Sequence, residues 1–187
     1  DMPAKKQKPH KIWEIEFQLM GREIKFRPGQ FTFIKFINKN LSKEPHPFSF
    51  SSANGNSLKI AIKELGDYTN KIGNLKEGDL AILEGPFGNF SFKNYDNKKQ
   101  VWVAGGVGIT PFLSMLRSLT EKDSDYEIDL YYSVRNEGCF AFKNEIEEIG
   151  NKHSNLNIFL WPTDKKGFLT AEYIKKNNPE FFCRDIL

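Results

Sequence analysis

The hydrophobic period of this chain changes once, and that change limits the folds open to it. In the first half, apolar residues alternate with polar ones. In "IWEIEFQL", Trp13, Ile15, Phe17 and Leu19 fall on one side and Glu14, Glu16 and Gln18 on the other. Period two is the mark of a half-buried strand. "RPGQFTFIKF" sets a Pro-Gly turn before a second strand. "SLKIAIKEL" alternates again through Leu58, Ile60 and Ile62, and "GDLAILEGPFGNFSF" reads as a strand, a glycine-proline turn and a short further strand. A short helix is expected near 69–75. Many short strands with turn signals and little helix predict a small antiparallel β-barrel.

After the polar linker "NYDNKKQ" the pattern is different. "VWVAGG" is apolar without alternation, as a strand covered on both faces would be. "TPFLSMLRSLTEK" follows with helical spacing at Phe112, Met115, Leu116 and Leu119, and Pro111 suits its first turn. Strand "YEIDLYYSV", helix "AFKNEIEEIGNK", strand "LNIFLW", helix "TAEYIKKN" and a last strand "FFC" complete the order. Strand and helix in alternation predict a parallel α/β sheet. The fold class expected is therefore β + α/β, with an antiparallel barrel over residues 1–97 and a parallel α/β domain over 98–187.

Composition removes several function classes. The 187 residues carry a net charge of +3 with both signs mixed along the chain, so no nucleic-acid surface is indicated. Lys5, Lys6 and Lys8 read as a solvated flank, or as a weak contact with an acidic membrane surface. Cys139 and Cys183 lie far apart, without the spacing of a zinc or iron–sulfur site, and no metal is expected. No apolar run is long enough to span a bilayer, and the chain reads as cytosolic. The opening "DMPAKKQKPHK" reads as a cut from something longer.

The glycine turn in "VWVAGGVGITPF" carries the clearest chemistry. Gly105, Gly106 and Gly108 end a buried strand, and Thr110 and Pro111 open a helix. Glycines there let a ligand approach the backbone, and the helix N-terminus adds positive potential, so the turn suits a phosphate or pyrophosphate. A tight turn that needs glycine for its own backbone has the same sequence. The pattern departs from GxGxxG.

A second unusual string is "KEPHPFSFSSANG", where two phenylalanines alternate with three serines behind His46 and Pro47. It is either an edge strand or a strand against which something flat and polar lies.

Taken in order, His-Pro-Phe-Ser, "KELGDYT", "GPFG" and "GGVGITPF" make the chain resemble the ferredoxin–NADP reductase superfamily over nearly its whole length. More narrowly, it looks like the cytosolic dehydrogenase region of membrane ferric reductases and NADPH oxidases. Those carry His-Pro-Phe-Ser/Thr where other relatives have Arg-x-Tyr-Ser. The resemblance implies FAD on the barrel, with Phe48 packing on the isoalloxazine, Ser49 reaching N5, His46 replacing a phosphate-binding arginine and Pro47 fixing the turn. It implies a second flavin element in "IKELGDYT", opened by Ile62 and Lys63. Lys63 would pair with the pyrophosphate, and Gly66, Asp67, Tyr68 and Thr69 would meet phosphate at a short helix. "GPFG" is read as structural, shaping the edge between the halves.

In the second half the resemblance implies that Gly105, Gly106, Gly108, Thr110 and Pro111 hold a nicotinamide dinucleotide. Ser133 and Arg135 would hold the 2′-phosphate of NADPH, with NADH also admissible. Cys183 would take the place of the family's Cys-Gly-Pro cysteine beside the nicotinamide, although Arg184 and Asp185 stand where glycine and proline belong.

The implied reaction is hydride transfer from nicotinamide C4 to flavin N5. Ser49, Thr110 and Cys183 would lie at the reacting rings, and electrons would pass on singly to haem or another acceptor. The implied partner is a transmembrane haem domain of a longer protein, with this region on the cytoplasmic side. His10, His46 and His153 lack paired haem-ligand spacing. Two other readings share these residues. One is a complete soluble ferredoxin, flavodoxin or flavin reductase; the other is a non-catalytic relative without cofactors.

Overall fold

A computed structural model describes residues 11–21, 23–53, 58–178 and 183–187. The lysine cluster at 5–8, His10, and Phe181 and Phe182 of the expected last strand lie outside the described residues.

The first half is antiparallel. Strand β1 (Ile12–Phe17) pairs with β4 (Leu58–Lys63), and β2 (Phe31–Ile37) lies between β3 (His46–Ser49) and β5 (Leu80–Phe87). A bridge between Phe50 and Ile60 joins the two sheets. Alternation places Ile34 and Phe36 of β2 and Leu58, Ile60 and Ile62 of β4 in one core, with Phe26, Phe50 and Ile72. Trp13, Ile15, Phe17 and Leu19 pack half-buried against it, as their spacing requires. The short helix is a 3-10 turn over Thr69–Asn74.

Two expectations fail here. β5 runs unbroken through the glycine-proline pair to Phe87, and residues 90–93 form no strand; Phe92–Asn94 is a 3-10 turn. The alternation of Phe90 and Phe92 reflects packing on the second half. Phe90 meets Phe112 edge-on at 5.3 Å, and Phe92 lies 5.6 Å from Trp102 and 5.0 Å from Tyr126.

The second half is a parallel sheet in the order β8-β7-β6-β9. It comprises β6 (Lys99–Gly105), β7 (Glu127–Val134), β8 (Leu156–Pro162) and β9 (Asp185–Ile186). Helices α1 (Ile109–Arg117), α2 (Lys143–Lys152), α3 (Thr163–Lys166) and α4 (Ala171–Asn177) connect or flank these strands. The main core lies under α1 and α2 and holds Trp102, Ala104, Phe112, Leu113, Ile128, Leu130, Tyr132 and Ile146. α1 stops at Arg117, short of the expected Lys122. The chain then re-forms as a 3-10 turn at Glu121–Asp123, where Thr120 and Asp123 cap each other reciprocally.

The expected strand "FFC" falls mostly outside the described residues, and the last strand among those described is another segment. It is Asp185–Ile186, paired in parallel with Gln100 and Val101 at the beginning of β6. No helix among the described residues is long and apolar enough to cross a membrane.

Candidate functional site

The glycine turn sits where β6 gives way to α1. Gly106–Gly108 makes one 3-10 turn, and Gly106 has a φ of +54°. A Cβ added at Gly105, Gly106 or Gly108 would meet nothing within 4 Å among the described residues. These glycines are therefore not demanded by neighbouring protein atoms; they leave the backbone open to an approaching group. The α1 N-terminus has no side-chain cap. Thr110 is buried, and its hydroxyl donates to the carbonyl of Val107 at 2.8 Å, which closes the turn. Pro111 is half-buried in the first turn of α1.

Parallel pairing puts Ser133 beside Gly105, with Arg135 exposed one residue beyond the end of β7. The Arg135 carbonyl accepts a hydrogen bond from the Asp164 amide at 2.9 Å, which ties this strand end to α3. The structure thus gathers Gly105, Gly106, Gly108, Ser133 and Arg135 at the carboxyl end of the sheet, where ligands of such sheets bind.

On the barrel, β3 is the edge strand of its sheet. Phe48 is half-buried against the barrel core, whereas Ser49 belongs to the opposite face of the strand. A single flat group can touch both only by lying along the strand's unpaired edge. His46 lies on Tyr68, ring centroids 3.7 Å apart, so the "HPFS" strand and the "GDYT" turn are in direct contact. Nε2 of His46 and the hydroxyl of Tyr68 are both buried without a hydrogen-bond partner among the described residues. Burial also pushes the Tyr68 phenol up, keeping it protonated. Two orphaned polar atoms in one stack are an unsatisfied site that fits an oxygen-rich ligand.

Around that stack, Gly66 has a φ of +101° and open space beside it. Asp67 is exposed, and the Thr69 hydroxyl accepts from the Leu65 amide at 2.8 Å. Lys63 is half-buried at the end of β4. Ile62 requires correction as a contact residue. Its side chain is 1% exposed in the barrel core and Trp13 is its partner across the ladder, so it is a core residue.

Cys183 is the larger correction. It precedes β9, is exposed, and its carbonyl accepts from the Asn97 side chain. Asp185 aligns with Gln100, five residues before Gly105, so Cys183 stands at least roughly 17 Å from the glycine turn at the usual rise per residue. It belongs to the amino end of the sheet, away from the expected nicotinamide place.

The two halves meet at the glycine turn and also through residues that no motif marked. The glycine turn contacts β4. Ser114 of α1 donates to the carbonyl of Ser52 at 2.6 Å. Arg117 donates to Glu14 at 2.6 Å, to the Ser51 carbonyl at 2.9 Å and to Glu145 at 2.6 and 2.8 Å. Ser51 completes the joint by donating to Glu14 at 2.7 Å. Burial alone would lower the Arg117 guanidinium, but its carboxylate partners outweigh that and raise it. Gly29, with a φ of +97°, lets Phe90 and Met115 close over it; a Cβ there would lie 1.8 Å from the Phe90 carbonyl oxygen.

Residues 6–105 match the FAD-binding domain family, and residues 102–180 match the oxidoreductase NAD-binding domain family. The chain belongs to the ferredoxin–NADP reductase-like superfamily of FAD- and NAD(P)-dependent oxidoreductases. A ferredoxin–NADP+ reductase from Plasmodium falciparum, solved with 2′P-AMP, is 26% identical with a TM-score of 0.74, covering 94% of this chain and 75% of that one. The flavohemoprotein of Bacillus cereus is 28% identical over 190 residues, 87% of this chain and 47% of the relative. The electron transfer subunit of dihydroorotate dehydrogenase B from Clostridium perfringens is 32% identical over 119 residues, 64% of this chain and 47% of that protein. The chain spans about half the length of the curated relatives it matches. Within the superfamily the glycine turn falls in the NAD-binding match, and the His46–Tyr68 stack in the FAD-binding match.

Proposed function

We propose that this chain passes a hydride from NADPH to FAD, and that electrons then leave singly for haem or another one-electron acceptor. One observation carries the reading: the glycine turn of the second half lies against β4 of the first, beside the strand that bears His46, Pro47, Phe48 and Ser49. Two cofactors held by these elements would meet in the same cleft. When bound, FAD supplies a ring that accepts a hydride and can release electrons one at a time.

The chain's own residues bind and orient. Phe48 and Ser49 line the edge of β3, where a ring would lie along the strand. His46 and Tyr68 offer two unsatisfied polar atoms to phosphate oxygens, with Lys63 and the Gly66–Thr69 turn adjoining. Gly105, Gly106 and Gly108 open the backbone to a pyrophosphate, while Thr110 and Pro111 fix the turn that presents it. Ser133 and Arg135 suit a 2′-phosphate, and the likeness to a reductase solved with 2′P-AMP supports NADPH over NADH. The division of labour follows the boundary near 97/98.

The acceptor is a finer proposal. Flavohemoprotein relatives favour haem. The His-Pro-Phe-Ser string favours a ferric reductase or NADPH oxidase arrangement, in which a transmembrane haem domain of the same protein receives the electrons. Anaerobic addition of NADPH to the FAD-loaded chain tests the core reading. Bleaching of the flavin absorbance is expected, and a chain that retains no FAD or leaves it oxidised would overturn it.

A further inference from the structure

Helix α1 begins at the glycine turn and ends on the flavin strand's continuation. Its first turn carries Thr110. Ser114 and Arg117, three residues apart and so on one face, grip the carbonyls of Ser52 and Ser51. Those carbonyls lie two and three residues beyond Ser49. Ser114 and Ser51 are both fully buried; the Ser114 bond is sheltered from water and the Arg117 bond is partly so. Glu14 braces the joint from β1 by accepting from both Ser51 and Arg117, and Glu145 braces it from α2. Nine residues of helix give about 13 Å of rigid rod between the turn and the strand.

We infer that Ser114 and Arg117 are positioning residues: through the backbone of Ser51 and Ser52 they fix how far the dinucleotide turn stands from the Phe48–Ser49 edge. This rests on the reading above that these two places hold the reacting cofactors. Neither residue reaches a cofactor. Each acts on the spacing of two places already built, so its loss alters how the rings meet more than how tightly either is held. Hydride transfer is steep in distance, and a misplacement of about 1 Å can cost on the order of a hundredfold in rate.

The test compares the parent chain with Ser114→Ala and Arg117→Met in three measurements. FAD affinity is read by fluorescence quenching, and is expected to change less than about threefold. Anaerobic mixing of the FAD-loaded chain with NADPH is followed at the flavin band and at the long-wavelength charge-transfer band of stacked rings. Both the rate and the charge-transfer amplitude are expected to fall about tenfold or more. Hydrogen exchange of the cofactor-free chain is expected to quicken at the amides of Phe50 and Ser51.

Unchanged rate and charge-transfer band in the variants overturn the inference, as does a rate that falls only in proportion to FAD affinity. Should Arg117→Met fail to fold, Ser114→Ala alone carries the test. A parent chain that binds no FAD defeats the functional reading. The exchange measurement still judges the joint on its own, and unaltered exchange at Phe50 and Ser51 in the cofactor-free variants overturns the coupling.

Discussion

His46 lies on Tyr68 with ring centroids 3.7 Å apart and planes 31° from parallel, and each side chain holds a buried polar atom with no hydrogen-bond partner among the described residues. An unpaired buried hydroxyl costs stability, and removing it relieves that cost. Tyr68→Phe is therefore expected to leave the melting temperature of the cofactor-free chain unchanged or raised. If the hydroxyl serves FAD, the same change weakens FAD binding by about tenfold, the loss of one hydrogen bond. His46→Ala is expected to weaken it likewise, and His46→Arg to retain binding. Scanning fluorimetry and a flavin titration read both quantities. A lowered melting temperature with unaltered affinity would assign the stack to stability alone.

Gly108, at the start of α1, and Gly29, in the barrel half, should answer substitution differently. Gly108 has a φ of −62° and open space beside it, so Gly108→Ala is expected to change the stability by no more than about 0.5 kcal/mol. The added methyl fills the cradle, and the Michaelis constant for NADPH should rise several-fold, to about tenfold. Gly29→Ala meets the Phe90 carbonyl at 1.8 Å and carries a positive φ, so it should destabilise by about 3 kcal/mol or more. Equal effects of the two changes on stability would contradict this assignment.

Arg135 is exposed one residue beyond the end of β7, where Ser133 pairs with Gly105. Arg135→Ala is expected to raise the Michaelis constant for NADPH by about tenfold while leaving that for NADH within about twofold, because only NADPH carries the 2′-phosphate. Steady-state kinetics with both nucleotides reads the ratio, and a ratio that does not move removes Arg135 from the site.

The fold was legible where one local period decides burial. Leu58, Ile60 and Ile62 alternate because that face of β4 lies on the core, and Val101, Trp102 and Ala104 run on because both faces of β6 are covered there, with Val103 left 38% exposed. Reading failed where the partner is distant. Phe90 and Phe92 alternate like a strand but answer to Phe112 and Trp102 across the boundary. The glycine turn and the "HPFS" string were visible because each is a contiguous device. The joint was not, since Glu14 and Arg117 are 103 positions apart and each has an ordinary local reading. Arg117 reads as a cation at a helix C-terminus, and Glu14 as the polar side of a strand.

Cys183 shows the limit of spacing alone. A cysteine near a terminal strand fits the expected place, but the register of Asp185 on Gln100 carries it to the other end of the sheet. Cys183→Ser is therefore expected to leave the rate of flavin reduction by NADPH within about twofold of the parent. Stopped-flow absorbance reads that rate, and a fall of about a hundredfold would return the thiol to the reacting rings.

Acid should loosen the joint before it unfolds either core. Burial alone would raise the Glu14 carboxyl, but hydrogen bonds from Arg117 and Ser51 and the charges of Arg117 and Lys59 outweigh it, holding Glu14 below its ordinary 4.5. A carboxyl with a lower pKa folded than unfolded stabilises the fold above its ordinary value. That contribution fades as the pH falls through the folded pKa. Glu145 shares Arg117, and on losing Glu14 it keeps the guanidinium on the α2 side of the joint. Other carboxyls held low, Asp79, Asp123 and Glu172, give the parent chain an acid slope of their own. The informative quantity is therefore the difference between the parent and Glu14→Gln. Melting temperatures from about pH 7 down to about pH 3.5 should show the parent more stable at the upper end and the two curves converging below about pH 4.5. Curves that stay parallel through that range would mean that the Glu14 charge contributes nothing to holding the halves together.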